Sequence, residues 1–402
     1  MMRFNLDALD SARIFLITLI GISLPYHSPP LTLIAICVVL VLGIKANFKT
    51  FFNFDKLWRT YLIFGIVYLL SCLISNLIND EGLTSKHLTK NFFFILLPLS
   101  LGANRDILKS LTIRKFFIFF CIATIVFVSV ALIKTLYLFK IGVVNTIFYE
   151  SIEQTARIHT TYLSLLIVLS FHYLLNQYLS LNARTNIKSR IILLGVIFLF
   201  TLNFIVLARV GIIAMVFIIL FHLIFNAQNS KFKLFFTTLI IFGVIGAGFI
   251  KFGWSGERIK NLFEANQNNK SDTANRVILW TSALDAFQNS PNKLLGAGLD
   301  KSQVLLNNSY RANNFFGYKS NYNTHNQYLQ TMLENGWMGI CILLFAIIYG
   351  FIKAIKQKKY LFLGVLMIFC IFFLTESILE RQLGILSFLI FLPLSYLYKN
   401  EN

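Results

Sequence analysis

Charged residues are scarce in this sequence: Asp, Glu, Lys and Arg make up 13% of its 402 residues. Soluble domains average about 25%, so the chain has too few charges to cover a surface that faces water. Hydrophobic residues account for 57%, and the mean hydropathy is +0.70. The 42 phenylalanines and 16 tyrosines suit lipid-facing helices and interfacial belts. The composition excludes an ordinary soluble protein and predicts a membrane protein.

Acidic residues are fewer still, with 17 against 36 basic residues, and the formal net charge is +19. In a soluble protein this excess would indicate a nucleic-acid partner. Here the Lys and Arg residues cluster in short loops between apolar runs, which is typical of loops on the cytoplasmic side of a membrane protein. We therefore interpret the positive charge as a topology signal among membrane lipids and predict no nucleic-acid partner.

Cysteine and histidine are also sparse, with five and six residues. Every cysteine lies inside an apolar run without a CxxC pair, and the scattered histidines show no metal-ligand spacing. The sequence therefore predicts no disulfide, metal site or cofactor. No cleavable signal peptide is expected, because the first apolar run lacks a small-residue cleavage site and a second run follows at once.

Long apolar runs recur along the whole chain. A transmembrane helix needs about 20 apolar residues, so these runs predict about twelve spans in one all-α polytopic membrane domain, residues 1–402. The fourth run is short, which predicts a tilted or re-entrant helix. The predicted spans are 12–26, 29–45, 58–78, 91–103, 115–138, 159–178, 190–207, 209–227, 233–251, 332–355, 360–377 and 383–398.

The basic residues occupy alternate loops, so both termini are predicted in the cytoplasm. One long polar stretch, residues 252–331, lies between the ninth and tenth spans and is predicted on the periplasmic side. Loops longer than about 15 residues are usually functional or disordered. Helical patterns inside this one favour a function.

Two helices are predicted in that loop. The first carries Val277, Trp280, Leu284 and Phe287 at helical spacing and ends before Pro291, as expected of an amphipathic helix on the membrane surface or on the bundle. The second begins at Thr324, where Thr324-His325-Asn326-Gln327 fits a capping box, and continues into the tenth span with Gly336 as a kink.

Arg209 interrupts an apolar stretch that is too long for one span. Two spans joined by almost no loop would place it at the tip of an external hairpin. An ionisable residue near the membrane interior indicates function. The alternative is a snorkelling arginine that only anchors the hairpin.

His325 would then lie in the first turn of a helix at the external face. The positive end of the helix dipole favours neutral imidazole, which can accept a proton from a sugar hydroxyl as a general base. The alternative is a surface histidine on a polar loop.

Further charged residues surround these two. Arg276 and Arg311 would attract an anionic headgroup or diphosphate, unless they belong to a solvated loop face. Glu376 and Arg381 bracket the last external turn. They could pair with each other, or one of them could reach the site.

A motif at the start of the tenth span is His325-Asn326-Gln327-Tyr328-Leu329, followed by Glu334-Asn335-Gly336-Trp337-Met338-Gly339. It resembles the signature of the O-antigen ligase superfamily. Four further features are similar to that family, and with the motif they cover roughly residues 190–390. They are Pro291 with Leu295-Gly296-Ala297-Gly298, Ala208-Arg209-Val210-Gly211, Asn275-Arg276 ahead of Trp280, and the pair Glu376 and Arg381.

The chain departs from the family at Val210, where many members have a small residue, so the subfamily is not assigned. The resemblance implies a metal-independent, inverting glycosyltransferase at the external face of a bacterial inner membrane, with a glycan on a polyprenyl diphosphate as donor. It implies that Arg209 and Arg276 neutralise the diphosphate and that His325 deprotonates or orients the acceptor hydroxyl. The remaining substrate-binding residues would be Asn326, Arg311, Glu376 and Arg381.

Two main activities share these motifs. A ligase transfers the glycan to lipid A–core, which completes lipopolysaccharide, and a polymerase transfers it to another lipid-linked repeat unit. A branch that glycosylates proteins also exists. The single large loop and the compact length favour the ligase. A transporter of the lipid-linked glycan, or flippase, is the alternative from another class, but it would be expected to show charges within spans and paired halves.

Overall fold

A computed structural model describes residues 2–26, 29–51, 53–80, 90–148, 150–180, 187–226 and 272–399. Within these ranges the regular structure is helical, as predicted. The α-helices in chain order are α1 Met2–Ser23, α2 Pro29–Ala46, α3 Lys56–Ile78, α4 Phe93–Ala103, α5 Ser110–Lys140, α6 Glu150–Ala156, α7 Thr160–Ser180, α8 Ile187–Val206, α9 Arg209–Asn226, α10 Asp272–Gln288, α11 Lys301–Ala312, α12 Gln327–Lys356, α13 Tyr360–Phe373 and α14 Gln382–Leu397. Short 3-10 helices are Phe48–Thr50, Phe316–Ser320 and Ile378–Glu380.

Five of these helices, α3, α5, α7, α8 and α12, are long and apolar enough to cross a membrane. Shorter apolar helices accompany them at α2, α4, α9, α13 and α14. The all-α, polytopic prediction is therefore confirmed, while the count of about twelve spans and the periplasmic position of the loop stay predictions. The predicted ninth span, 233–251, lies outside the described residues, as does the first part of the predicted loop, 252–271.

Helix α7 is the centre of the bundle. In its most apolar stretch 83% of the residues are buried, against 33–44% in the corresponding stretches of the other long helices. A helix that is apolar all round is stable only when neighbours cover every face. Here those neighbours include α5, α8, α9 and α13. Packing against these neighbours therefore fixes the position of the first turn of α7.

The hairpin between α8 and α9 is as tight as the sequence predicts. Helix α8 ends at Val206, α9 begins at Arg209, and Leu207 between them takes a left-handed φ of 53°. The hairpin packs closely on α7, since a Cβ atom on Gly211 would lie 1.7 Å from the Ser164 hydroxyl oxygen. Arg209 is thereby fixed beside the first turns of α7.

Helix α12 has the kink that was predicted at Gly336, whose φ is 63° and ψ −160°. The loop ahead of α11 crosses the kink and pairs with it backbone to backbone. The amides of Ala297 and Gly298 donate to the carbonyls of Leu333 and Glu334 at 2.9 and 3.0 Å. The amides of Trp337 and Met338 donate back to Lys293 and Leu294, both at 3.0 Å. The backbone polar groups at the kink are therefore hydrogen-bonded. The loop 293–298 and the kink at Gly336 together form a joint between the two segments.

The end of α3 holds this joint from the other side. The Ser75 hydroxyl donates to the Glu334 carbonyl at 2.7 Å, and the Asn79 amide donates to the Gly296 carbonyl at 3.1 Å. The amide oxygen of Asn76 accepts from the Leu299 N–H at 2.9 Å. These three polar residues lie outside the region, roughly residues 190–390, that carries the sequence motifs.

Helix α10 confirms the predicted amphipathic helix, but its buried face differs from the predicted stripe. Phe287 is buried, whereas Val277 and Leu284 are 57% and 43% exposed. The buried apolar positions are Leu279, Ala283, Ala286 and Phe287. The helix packs on α11 and α12, with the Phe287 ring 5.8 Å from that of Trp337. Leu279, Ala283 and Ala286 therefore lie on the face that packs on the bundle, whereas Val277 and Leu284 lie on an exposed face.

Candidate active site

The turn that carries His325 precedes α12 and does not form part of it. The first turn of the helix was predicted to contain His325, and this prediction is wrong: α12 begins at Gln327, and His325 takes a left-handed φ of 45°. Asn326 is the N-cap, and its side-chain oxygen accepts from the amides of Tyr328 and Leu329. The Thr324 hydroxyl oxygen accepts from the Asn326 N–H at 3.3 Å. The hydrogen bonds of the Asn326 and Thr324 side chains thus replace the capping box that was predicted at residues 324–327.

Glu376 reaches this turn from the connection between α13 and α14. Its Oε2 atom lies 3.1 Å from Nδ1 of His325. The Glu376 side chain is 6% exposed and the His325 side chain 29%, so the acid is buried and the imidazole is open on one side. Glu376 was predicted either to pair with Arg381 or to reach the site, and its carboxylate contacts His325, the predicted base.

The environment keeps Glu376 ionised. Burial favours the neutral acid, but the hydrogen bond from His325, the electrostatic influence of His325 and His159, and the Ser377 N–H outweigh it. The pKa of Glu376 therefore lies below its usual value. An ionised carboxylate can only accept, so Nδ1 of His325 must donate to it. The other ring nitrogen, Nε2, is then the one that can take a proton from a substrate.

The rest of the turn fixes the imidazole in place. The backbone N–H of His325 donates to the side-chain oxygen of Asn323 at 3.0 Å. The Tyr322 ring meets the imidazole edge-on, with 5.9 Å between ring centroids. The hydroxyls of Thr324 and Ser377 lie 3.3 Å apart, which joins the His325 turn directly to the residue after Glu376. Both partners of the pair are therefore held by their neighbours.

Gln327 links the same two segments a second time. Its side-chain oxygen accepts from the Leu379 N–H at 2.6 Å, and its amide donates to the Thr331 hydroxyl at 3.0 Å. Leu379 belongs to the 3-10 helix that follows Glu376. The start of α12 and the turn between α13 and α14 consequently behave as one unit.

Arg209 lies at the same end of the bundle as this pair. The Tyr162 hydroxyl, in the first turn of α7, donates to the Ser377 carbonyl at 3.2 Å. Gly211, two residues after Arg209, lies against Ser164 of the same helix. The first turns of α7 therefore contact both the start of α9, which carries Arg209, and the turn that carries Glu376. Arg209 is half-buried at the start of α9.

The other predicted site residues have different surroundings. Asn326 lies beside His325, but its amide oxygen caps α12 and its amide nitrogen donates to the Leu374 carbonyl at 3.3 Å. The exposed Arg311 guanidinium lies over the Tyr318 ring at 5.1 Å. Arg381 is exposed at the N-terminus of α14, and Arg276 is half-buried in α10. Their roles in substrate binding stay predictions.

Sequence reasoning missed several residues of the site. Thr324 and Ser377 were not proposed as positioning residues, and Tyr322 was not noticed. The available signal was the small polar residue next to each charged one, at Thr324–His325 and Glu376–Ser377. Within the described ranges, no group of three or more His, Cys, Asp or Glu side chains could hold a metal ion.

Residues 193–344 match the family model described as O-antigen ligase. The match spans α8 to the middle of α12, so it contains Arg209, Arg276 and His325, while Glu376 and Arg381 lie beyond it. No curated protein matches the chain.

Proposed function

Since residues 193–344 match the family model described as O-antigen ligase, we propose that the protein transfers a glycan from a polyprenyl diphosphate carrier to a saccharide acceptor. We propose lipid A–core as the acceptor, so that the product is complete lipopolysaccharide. The donor and acceptor would meet at the periplasmic face of the inner membrane, at the open side of His325. The family supports glycosyl transfer in general, and the finer assignment rests on the site.

The pair of His325 and Glu376 is the observation that carries the proposal. In it, Nε2 of His325 removes the proton from the acceptor hydroxyl as that oxygen attacks the anomeric carbon. The bond between this carbon and the diphosphate oxygen breaks, and the polyprenyl diphosphate leaves with the electron pair. Attack opposite to the leaving group inverts the anomeric centre. Glu376 keeps the imidazole in the required tautomer and stabilises its positive charge, as the carboxylate does in other acid–histidine pairs.

Arg209 is proposed to bind the leaving diphosphate. Its guanidinium is always charged and can donate two parallel hydrogen bonds to phosphate oxygens. Preorganised charges of this kind stabilise the developing negative charge on the leaving group. With Arg276 as a second cation, transfer would need no metal ion. Exposed apolar faces such as Val277 and Leu284 on α10 offer the polyprenyl chain a lipid-accessible approach.

The choice between ligase and polymerase depends on the acceptor alone. We favour the ligase because one large loop and a compact chain suit a single transfer. The polymerase, which joins lipid-linked repeat units, is the second candidate, and it uses the same pair and the same arginine.

A reconstituted transfer assay tests the proposal. Purified protein in vesicles receives a labelled polyprenyl-diphosphate glycan and EDTA, with either lipid A–core or a second lipid-linked unit as acceptor. Product on lipid A–core that disappears in H325A supports the ligase and its base. Product only on the lipid-linked unit makes the protein a polymerase. No product on either acceptor, with labelled lipid moved across the bilayer, overturns glycosyl transfer in favour of a flippase.

A further inference from the structure

A row of aromatic side chains leads away from His325 along the segment between α11 and α12. The Tyr322 ring meets the imidazole edge-on at 5.9 Å, and the Phe316 ring meets Tyr322 at 5.8 Å with 73° between the ring planes. Phe316 is 38% exposed, the His325 side chain is 29% exposed, and Tyr322 is half-buried. Aromatic surface that solvent can reach therefore begins at the proposed base and continues to Phe316. We call His325, Tyr322 and Phe316 the aromatic row.

Hydrogen bonds hold the row in one position. The Tyr322 carbonyl accepts from the Gln303 side-chain amide at 3.1 Å, and the Tyr322 N–H donates to the Gly317 carbonyl at 3.0 Å. The Tyr310 hydroxyl, from α11, donates to the Asn323 carbonyl at 3.1 Å. A surface that is ordered before binding loses little conformational freedom when a ligand arrives. The row is therefore suited to bind a ligand.

Amide side chains border the row. The side-chain oxygen of Asn323 accepts from the His325 N–H at 3.0 Å, and Asn307 donates to the side-chain oxygen of the exposed Asn321 at 2.8 Å. Amides both donate and accept hydrogen bonds, as sugar hydroxyls do. A sugar ring also has a face of C–H groups, which packs against the negative face of an aromatic ring. Aromatic surface with a few fixed polar groups is typical of ligand sites, and this combination fits a saccharide better than an acyl chain.

The charge of this segment indicates a second property of the ligand. Residues 301–325 contain basic residues but no Asp or Glu. The Arg311 guanidinium lies over the ring of Tyr318 at 5.1 Å, and Tyr318 belongs to the 3-10 helix that Phe316 begins. Lys319, the next residue, is exposed. Cations of this kind attract phosphate and carboxylate groups, so we expect the ligand to be an anionic saccharide.

The position of the row distinguishes the acceptor from the donor. Tyr322 contacts His325, whose Nε2 takes the proton of the acceptor hydroxyl in the proposed reaction. Arg209, the proposed ligand of the donor diphosphate, lies instead at the start of α9, against the first turns of α7. A saccharide on the row would therefore be next to the base, while a different element holds the diphosphate.

We propose that Tyr322 and Phe316 form a subsite for the acceptor, in which the face of a sugar ring stacks on the aromatic row and its hydroxyl reaches Nε2 of His325. Arg311 and Lys319 bind the negatively charged group of the same saccharide. The consequence for catalysis rests on the proposed transferase function, whereas the binding of an anionic saccharide to the row does not.

The first test measures transfer kinetics of F316A and Y322A in vesicles. Loss of one stacked ring should raise the KM for the acceptor about 10-fold and leave the KM for the lipid-linked donor within about twofold of the wild-type value. Y322F retains the ring and should recover most of what Y322A loses. The matched control is F48A, which removes an exposed phenylalanine that begins the 3-10 helix Phe48–Thr50 and should change neither KM. An unchanged acceptor KM in F316A, or an equal rise in the donor KM, overturns the subsite even if Y322A fails to fold.

The second test compares a phosphorylated acceptor with the same acceptor after its phosphate groups have been removed. The wild-type protein should have the lower KM for the phosphorylated form, and added salt should reduce this preference. The double variant R311Q K319Q should lose the preference. A double variant that keeps the wild-type preference overturns the assignment of the anionic group to Arg311 and Lys319.

The third test needs no transfer. Saturation-transfer NMR is recorded on the protein in nanodiscs with the phosphorylated core oligosaccharide released from lipid A, and without donor. Saturation should pass from aromatic protons to sugar C–H protons in the wild type and in F48A, and only weakly in F316A. Such binding by a protein that transfers no glycan supports the subsite and refutes only the transferase. Saturation that reaches lipid headgroups but not the oligosaccharide makes the row a membrane anchor and overturns the subsite, even in a protein that transfers glycan.

Discussion

Gly296 and Gly336 cross so closely that neither position has room for a side chain. A Cβ atom on Gly296 would lie 2.5 Å from the amide nitrogen of Gly336, and one on Gly336 would lie 2.4 Å from the carbonyl oxygen of Leu294. Both glycines also have positive φ, 77° and 63°. The two glycine-containing motifs of the sequence are thus two halves of one joint. This joint directs the first turns of α12 towards the site.

The joint predicts a severe effect of G336A. The alanine would have to adopt a backbone conformation that L-residues avoid and would clash with backbone atoms that cannot move aside. We expect the free energy of unfolding to fall by about 3 kcal/mol or more. Thermal unfolding of the purified protein in detergent measures it. The matched control is G195A in α8, where the added methyl meets only the end of the flexible Leu174 side chain at 3.1 Å. Equal unfolding temperatures for both variants would contradict the joint.

Loss of the Glu376 charge should slow chemistry more than it weakens binding. In E376Q the amide oxygen can still accept from Nδ1, but no charge stabilises the imidazolium that forms. We expect kcat to fall about 100-fold or more, with little change in the KM for the donor. H325A should be similarly slow, and the double variant should be no slower than H325A alone if the two residues act as one unit. Additive losses in the double variant would argue against the pair.

Arg209 should act through charge and geometry together. We expect R209A to lower kcat about 10²- to 10³-fold, the usual cost of removing one preorganised donor to a leaving group. R209K should recover only part of this loss, because an ammonium group lacks the planar fork of a guanidinium. The control is R190A, an exposed arginine at the opposite end of the α8–α9 hairpin. Wild-type transfer by R209A at a normal expression level would refute the role.

A buried arginine predicts a pH-dependent stability at the other end of the bundle. Arg13 is fully buried and bonds Asp106 at 2.6 Å, Asp10 at 2.7 Å and the Asn104 side-chain oxygen at 2.7 Å. Asp106 is partly buried, which opposes ionisation, but the hydrogen bonds from Arg13 and Asn47 outweigh this and hold its pKa below the usual value.

A lowered pKa in the folded state means that the unfolded chain binds more protons. The stability from Asp106 is therefore present at neutral pH and disappears as the pH falls through the folded pKa. D106N should lower the free energy of unfolding at pH 7 by on the order of 1 kcal/mol, since Asp106 is partly exposed and Asp10 remains as a partner. Thermal unfolding of both proteins between pH 7 and about pH 3 should show the difference shrinking. A difference in stability that stays constant over this pH range would refute the link between Asp106 ionisation and stability.

Much of the fold follows from local patterns. Apolar runs determine the helices, because a lipid-exposed backbone must satisfy its own hydrogen bonds. The tight hairpin at Arg209 followed from length alone, and the kink followed from a glycine within an apolar run. The amphipathic helix α10 was also predicted, although its buried face was not, because that depends on where α11 and α12 lie.

The site was only half predictable, and the reason is distance along the chain. His325 was found because its neighbours form a motif, but its partner Glu376 is 51 residues away. No local pattern could decide whether Glu376 pairs with Arg381 or reaches the site. The assignment of His325 to the first helical turn failed because Asn326 competes for the cap. Which of two neighbouring polar residues caps a helix depends on tertiary contacts, here those with Leu374 and Ser377.

Local sequence patterns were enough to predict a helical membrane protein with an arginine at a hairpin tip and a histidine next to a helix start, because composition, periodicity and turn chemistry act over a few residues. Which groups meet depends on helix packing. That packing pairs His325 with Glu376 and joins the Gly296 loop to the Gly336 kink. Such pairings depend on how helices distant in sequence pack, and no short-range rule encodes that packing.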